Sequence, residues 1–204
     1  MIQQLFQILP HTIDRLVLRL DDSQPMRQTL AMPHILPNVT NLTLTTTPCA
    51  IIDILALLPG LRTADVSVRC HDDPRTQRRF TSPPVEVPIL QSLTIRLVRH
   101  FRDHQIGDFL HHEAPDIRDL LFHINPISLQ TLTLHWKVPM SFTQPGPLRE
   151  GLESLLTRTS HSLRQFVILN HVDLSYFDPV ELSLMMEHCG IWGRYEVQPL
   201  VKTP

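Results

Sequence analysis

One six-residue phrase recurs along this chain and limits what the chain can fold into. It reads IDRLVL from Ile13, VTNLTL from Val39, LRTADV from Leu61, LQSLTI from Leu90, LQTLTL from Leu129 and LRQFVI from Leu163. Each copy puts an apolar residue first, a second three positions on, and a third two positions after that. The triple alone would recur roughly ten times by chance in a chain this apolar. Two further regularities set the copies apart. They share polar letters, as in LQSLTI and LQTLTL, and Pro10, Pro37, Pro59, Pro88 and Pro126 each stand two or three residues ahead of an anchor. Chance does not phase prolines to an unrelated triple. Short strands returning every few tens of residues, with helical spacing between them, are the mark of a solenoid.

The anchors at 13, 39, 61, 90, 129 and 163 are separated by 26, 22, 29, 39 and 34 residues. The connections between them carry their own signals. Residues 49–60 predict a buried helix closed by Pro59. Residues 147–160 place Leu148, Leu152, Leu155 and Leu156 on one stripe behind an opening proline. In residues 178–188 an N-cap aspartate, proline at N1 and glutamate at N3 are followed by Gly190 just past the end. Residues 70–88 read as a long polar, proline-rich surface loop, and 99–125 as one or two helices broken at Ala114-Pro115. Residues 1–12 suggest an N-terminal cap or the remnant of a repeat, and 191–204 a C-terminal cap or tail. With 204 residues the whole chain suits a single domain.

Composition narrows the chemistry. Eighteen prolines against six glycines leave little material for phosphate-cradling loops, and neither GxxxxGK[ST] nor GxGxxG occurs. A net charge of −2 gives no electrostatic reason to bind nucleic acid or an anionic membrane. Arg69, Arg75, Arg78 and Arg79 cluster, but Asp72 and Asp73 sit among them, as in a solvated loop. Three cysteines, Cys49, Cys70 and Cys189, make no disulfide framework. Neither a signal peptide nor a stretch long enough to span a membrane is read in the sequence. The expectation is a soluble, cytoplasmic protein, with the nucleus left open, that acts as a monomer.

The phrases, with intervening helices and proline-rich loops, resemble leucine-rich repeats (LxxLxLxxN), and most of all the divergent leucine-rich regions of fungal F-box-type proteins. The resemblance runs from Ile13 to about Cys189. It implies an irregular α/β solenoid of about six short parallel strands on a concave face, with helices and loops outside. It also implies a protein-recognition role, in which the repeats capture a ubiquitin-ligase substrate. Two departures accompany it. The position eight residues after each anchor, asparagine or cysteine in the family, holds Asp21, Thr47, Arg69, Val98, Lys137 and His171, and no F-box is evident.

In such a stack the residues at anchor +3 and +5 point inward: Leu16/Leu18, Leu42/Leu44, Ala64/Val66, Leu93/Ile95, Leu132/Leu134 and Phe166/Ile168. Alternation then puts three columns on the other face. The first is Arg15, Asn41, Thr63, Ser92, Thr131, Gln165; the second Val17, Thr43, Asp65, Thr94, Thr133, Val167; the third Arg19, Thr45, Ser67, Arg96, His135, Leu169. The candidate partner-binding residues on this hydroxyl-rich face are Arg15, Arg19, Thr43, Thr45, Asp65, Thr94, Arg96, Thr133 and His135. Trp136 joins them as an aromatic anchor at the rim. The expected function is non-catalytic, with no cofactor and no metal. Two alternatives stand beside it: a metal-dependent enzyme using His100, His104 and His111 on one helix face, and a truncated product without independent function.

Overall fold

The computed structural model describes residues 14–19, 38–69, 84–98, 114–136, 147–170, 179–191 and 195–199. Nine strands and four helices are present among them: β1 (Arg15–Arg19), β2 (Asn41–Thr46), α1 (Pro48–Leu55), β3 (Thr63–Arg69), β4 (Val85–Glu86), β5 (Ser92–Val98), α2 (Ala114–His123), β6 (Ile124–Asn125), β7 (Thr131–Trp136), α3 (Pro147–Thr159), β8 (Gln165–Asn170), α4 (Pro179–His188) and β9 (Tyr195–Pro199). Seven strands form one open sheet in the order β1-β2-β3-β5-β7-β8-β9, and every neighbouring pair is parallel. Spatial order therefore follows chain order, so each strand is laid beside its predecessor. The remaining two strands make a separate small ladder, with Val85 opposite Ile124 and Glu86 opposite Asn125.

The register matches the repeated phrase. Leu16, Leu42, Ala64, Leu93, Leu132 and Phe166 stand opposite one another in turn, as do Leu18, Leu44, Val66, Ile95, Leu134 and Ile168. All of these belong to the core or pack against it. Helix residues Ile51, Ile54, Leu55, Leu120, Leu121, Leu152, Leu155, Leu156, Met185 and Met186 share the same core. The helices thus cover one face of the sheet. Beyond the alternation, one backbone device recurs at each of the five steps from β1 to β8. The carbonyl at anchor +1 accepts two N–H groups from the following repeat: Asp14 from Thr40 and Asn41, Thr40 from Arg62 and Thr63, Arg62 from Gln91 and Ser92, Gln91 from Gln130 and Thr131, and Gln130 from Arg164 and Gln165, all at 2.8–3.1 Å. This pins each strand's start to its neighbour, so a slip in register would break the fork before it reached the core.

The phased prolines have a more specific job than ending helices. The N–H of Leu61 closes on the Leu58 carbonyl at 3.1 Å and that of Leu90 on Val87 at 3.2 Å. Pro59 and Pro88 therefore sit at the second position of a β-turn, where a fixed φ near −65° is already the turn value. Pro126 instead occupies the first position and supplies the carbonyl to Leu129, at 3.1 Å. Pro10 and Pro37 lie outside the described residues.

The three helices read from residues 49–60, 147–160 and 178–188 are found at α1, α3 and α4. At the end of α4, Gly190 takes φ +71°. Its N–H bonds the Glu187 carbonyl at 3.0 Å, while that of Ile191 bonds Met186 at 2.9 Å. These two bonds make a Schellman motif, and its left-handed position favours glycine.

Three expectations need correcting. Residues 191–204 are not merely a cap or tail, because β9 pairs with β8 as a seventh strand, Phe166 opposite Tyr195 and Ile168 opposite Val197. The 70–88 stretch is not loop throughout. Its last residues form β4, and Val87 is buried. The 99–125 stretch is not helical to its end: α2 begins at Ala114, where the break is read, and stops at His123, with Ile124–Asn125 forming β6; proline is tolerated in a first turn, whose N–H groups lack helical partners.

Beside the shared core and an Arg118–Glu150 ion pair at 3.9 Å, two residues of α3 shape its contact with α2. Gly151 lies so close to α2 that a Cβ would come within 2.8 Å of the Arg118 Cα and 3.0 Å of its carbonyl oxygen. Arg158 reaches across the other way. It donates to the Leu121 and Ile124 carbonyls at 2.7 and 3.1 Å and to Ser154 Oγ at 2.6 Å. Leu121 belongs to the last turn of α2, whose carbonyls have no helical partner, and a cation there also complements the helix dipole. Burial pulls the Arg158 pKa below its ordinary value, though a guanidinium stays charged throughout the physiological range.

Candidate functional site

The face of the sheet opposite the helices carries the three predicted columns in the predicted register. Arg15, Asn41, Thr63, Ser92, Thr131 and Gln165 align. So do Val17, Thr43, Asp65, Thr94, Thr133 and Val167, and likewise Arg19, Thr45, Ser67, Arg96, His135 and Leu169. Strand β9 extends the second column with Glu196. Seven strands at about 4.8 Å spacing make a platform about 29 Å wide. Most of its residues are exposed or half-buried. Val167 is the departure at 7% exposure. Trp136 ends β7, and its side chain lies outside the described residues.

The sequence did not foretell how three of these residues combine. Asp65 stands opposite Thr94, so Arg96 lies on the diagonal, one strand over and two residues on. From there its Nε donates to Asp65 Oδ1 at 2.7 Å and its second terminal nitrogen to Oδ2 at 2.8 Å. The remaining terminal nitrogen meets His135 Nδ1 at 3.1 Å, and His135 is the direct cross-strand partner of Arg96. Every guanidinium nitrogen is a donor, so Nδ1 is the acceptor here and the imidazole proton is assigned to Nε2. The hydrogen bond to Asp65 raises the Arg96 pKa, against a smaller opposing effect of burial.

These side chains are 41% and 33% exposed for Arg96 and Asp65. A surface pair of that kind contributes on the order of 1 kcal/mol or less to stability. Its larger effect is on orientation. A fork–fork bond fixes the guanidinium plane, and that plane fixes the imidazole, so three strands present one rigid polar cluster. Thr43, Thr94 and Thr133 surround it with hydroxyls. Arginine–carboxylate compensation also leaves the middle of the platform near neutral, while Arg15 and Arg19 concentrate positive charge on β1.

Other candidates lie elsewhere. His100, His104, His111, Cys70, His71 and Asp72 fall outside the described residues. Among the described residues no three His, Cys, Asp or Glu side chains converge into a group that could hold a metal ion. Cys49 and Cys189 form no disulfide among the described residues; Cys189 is buried, which pushes its pKa up, and its Sγ lies 3.8 Å from the Glu153 carbonyl. An open hollow of about 690 Å³ lies before β7 and β8, lined in part by Ile127, Gln130, His161 and Arg164. Sequence reasoning did not find it, because it is built by turns rather than by the repeated phrase. No described helix is long and apolar enough to cross a membrane.

Comparison with known proteins identifies no kinship: no protein-family model, curated protein or solved structure matches the chain.

Proposed function

We propose that this protein is a non-catalytic recognition module that binds a protein partner across the open face of its sheet. The observation that supports the reading is the polar platform itself. It is built from consecutive, in-register strands, has the helices on its other side, and carries a cluster already fixed by its own hydrogen bonds. Binding to such a surface avoids much of the side-chain ordering that association otherwise costs. Arginine is also among the residues that most often dominate protein interfaces. The likeness to fungal F-box-type repeats supplies the class of partner, a protein held for ubiquitination.

Affinity capture from intact cells, followed by variants of the platform, tests this reading. Asp65 and Arg96 are best replaced together by alanine, which removes the pair without stranding one charge. That double variant and Arg19→Glu are each expected to lower recovery of a captured partner at least about tenfold, the effect of losing about 1.4 kcal/mol at an interface. A partner recovered equally by the wild type and both variants would overturn the platform as the binding surface, and so would capture of no protein at all.

A further inference from the structure

We propose that copies of this chain associate head to tail, the β9 edge of one copy taking the β1 edge of the next as a further parallel strand. This goes beyond partner binding on the platform, since it uses the two ends of the sheet and departs from the expected monomer. Among the described residues, β1 pairs only with β2 and β9 only with β8. Within the described residues both edges end the ladder, and their backbone polarity matches, for every strand in the sheet runs the same way.

The charges at the two edges fit each other in a way the molecule already uses. Asp65 occupies the second column of its strand and holds Arg96, in the third column of the next strand, at 2.7 Å. Glu196 occupies the second column of β9. If a second copy's β1 continued the sheet in register, Arg19 would be the third-column residue of the following strand, and Arg15 its first. Glu196 would then stand to the second copy's Arg19 as Asp65 stands to Arg96. Glu196 has a contact of its own within the chain, but a carboxylate offers about four acceptor positions and can take a further arginine. Glu196, Arg15 and Arg19 are all exposed.

The helix layer adds an apolar surface at the same end. Cys189 turns α4 toward α3, at the Glu153 carbonyl. At about 100° per residue, Val180 and Leu184 lie roughly 180° and 140° round from Cys189, opposite the face that Met185 and Met186 share with it in the core. Val180 and Leu184 are 63% and 58% exposed. The arrangement is heterologous, so it adds copies in a row and does not stop at a dimer unless the rotation closes a ring. On a chain that stays single, the same edge arginines would instead keep neighbours apart.

Sedimentation of the 204-residue chain from about 1 µM to about 1 mM at low ionic strength separates these outcomes. The average mass is expected to rise with concentration beyond that of a dimer. Arg19→Glu and Glu196→Arg should each weaken association at least about tenfold, and the two together should restore it. Far-UV circular dichroism and the thermal midpoint check that each variant is folded. A single-chain mass across the whole range would overturn the proposal. So would association that neither reversal weakens, or a double variant that does not recover. None of these results bears on whether a different protein binds the platform.

Discussion

Replacing Gly151 with valine is expected to destabilise the protein by about 3 kcal/mol, seen as a fall of roughly 10 °C in its thermal midpoint. Glycine inside a helix ordinarily costs about 1 kcal/mol relative to alanine, so its place in the fifth position of α3 needs a reason. The reason is contact with α2. An added Cβ would approach the Arg118 Cα at 2.8 Å, its carbonyl at 3.0 Å and the Leu121 Cβ at 3.3 Å. Two of those three atoms are backbone and cannot rotate aside, so the helices must separate. Separation would in turn pull Arg158 from the Leu121 and Ile124 carbonyls. Gly151→Ala sets the gain in helix propensity against the same clash and should lose less, on the order of 1 kcal/mol. An alanine variant as stable as the wild type would show that the helices have room to move.

The second large effect is expected at Phe166. It is fully buried in the core, and its strand β8 sits between β7 and β9. Phe166→Ala should destabilise by about 4 kcal/mol, combining lost transfer energy with a cavity that close-packed neighbours cannot fill. Phe166→Leu retains most of the volume and should lose no more than about 1.5 kcal/mol. Chemical denaturation of both variants measures the difference. The prediction also ranks positions along the row, because Phe166 stands in register with Leu132, Leu93 and Ala64. Ala64, the small member of that row, has little to lose on truncation. A Phe166→Ala variant losing less than about 1 kcal/mol would mean that β8 is not packed as described.

Much of this architecture was legible in the sequence because a strand's two-residue period assigns every side chain to a face once its anchor is known. The inward rows and outward columns set by Leu42, Leu93 and Leu132 followed directly. What was missed lay where one letter of the phrase changed. Residues 192–197, WGRYEV, carry the same apolar spacing at Trp192, Tyr195 and Val197, but no proline precedes them and aromatic residues replace leucine. They read as a tail, and Tyr195 to Val197 instead belong to β9. The pair Val85–Glu86 is too short to show any period.

At the candidate site, Arg96, His135 and Asp65 were each placed on the correct face, yet as separate contacts. Their union depends on a diagonal between neighbouring strands, a relation visible only when columns are compared across strands. Aligning Asp65 with Thr94 would have shown Arg96 within reach. The bonding changes its meaning, since Arg96 is a compensated, oriented group rather than a loose cation. Helix contacts were harder still. Nothing in the letters around Gly151 or Arg158 says which helix will lie against them.

Site-specific photo-crosslinking in intact cells tests the platform most directly. A photoreactive side chain would replace Thr94 or Thr133 on the open face, and Ala56, exposed beyond α1, would carry it as the control. The account predicts discrete adducts to a second protein from Thr94 and Thr133 and none from Ala56. Adducts from Ala56 alone, or from all three positions equally, would contradict it.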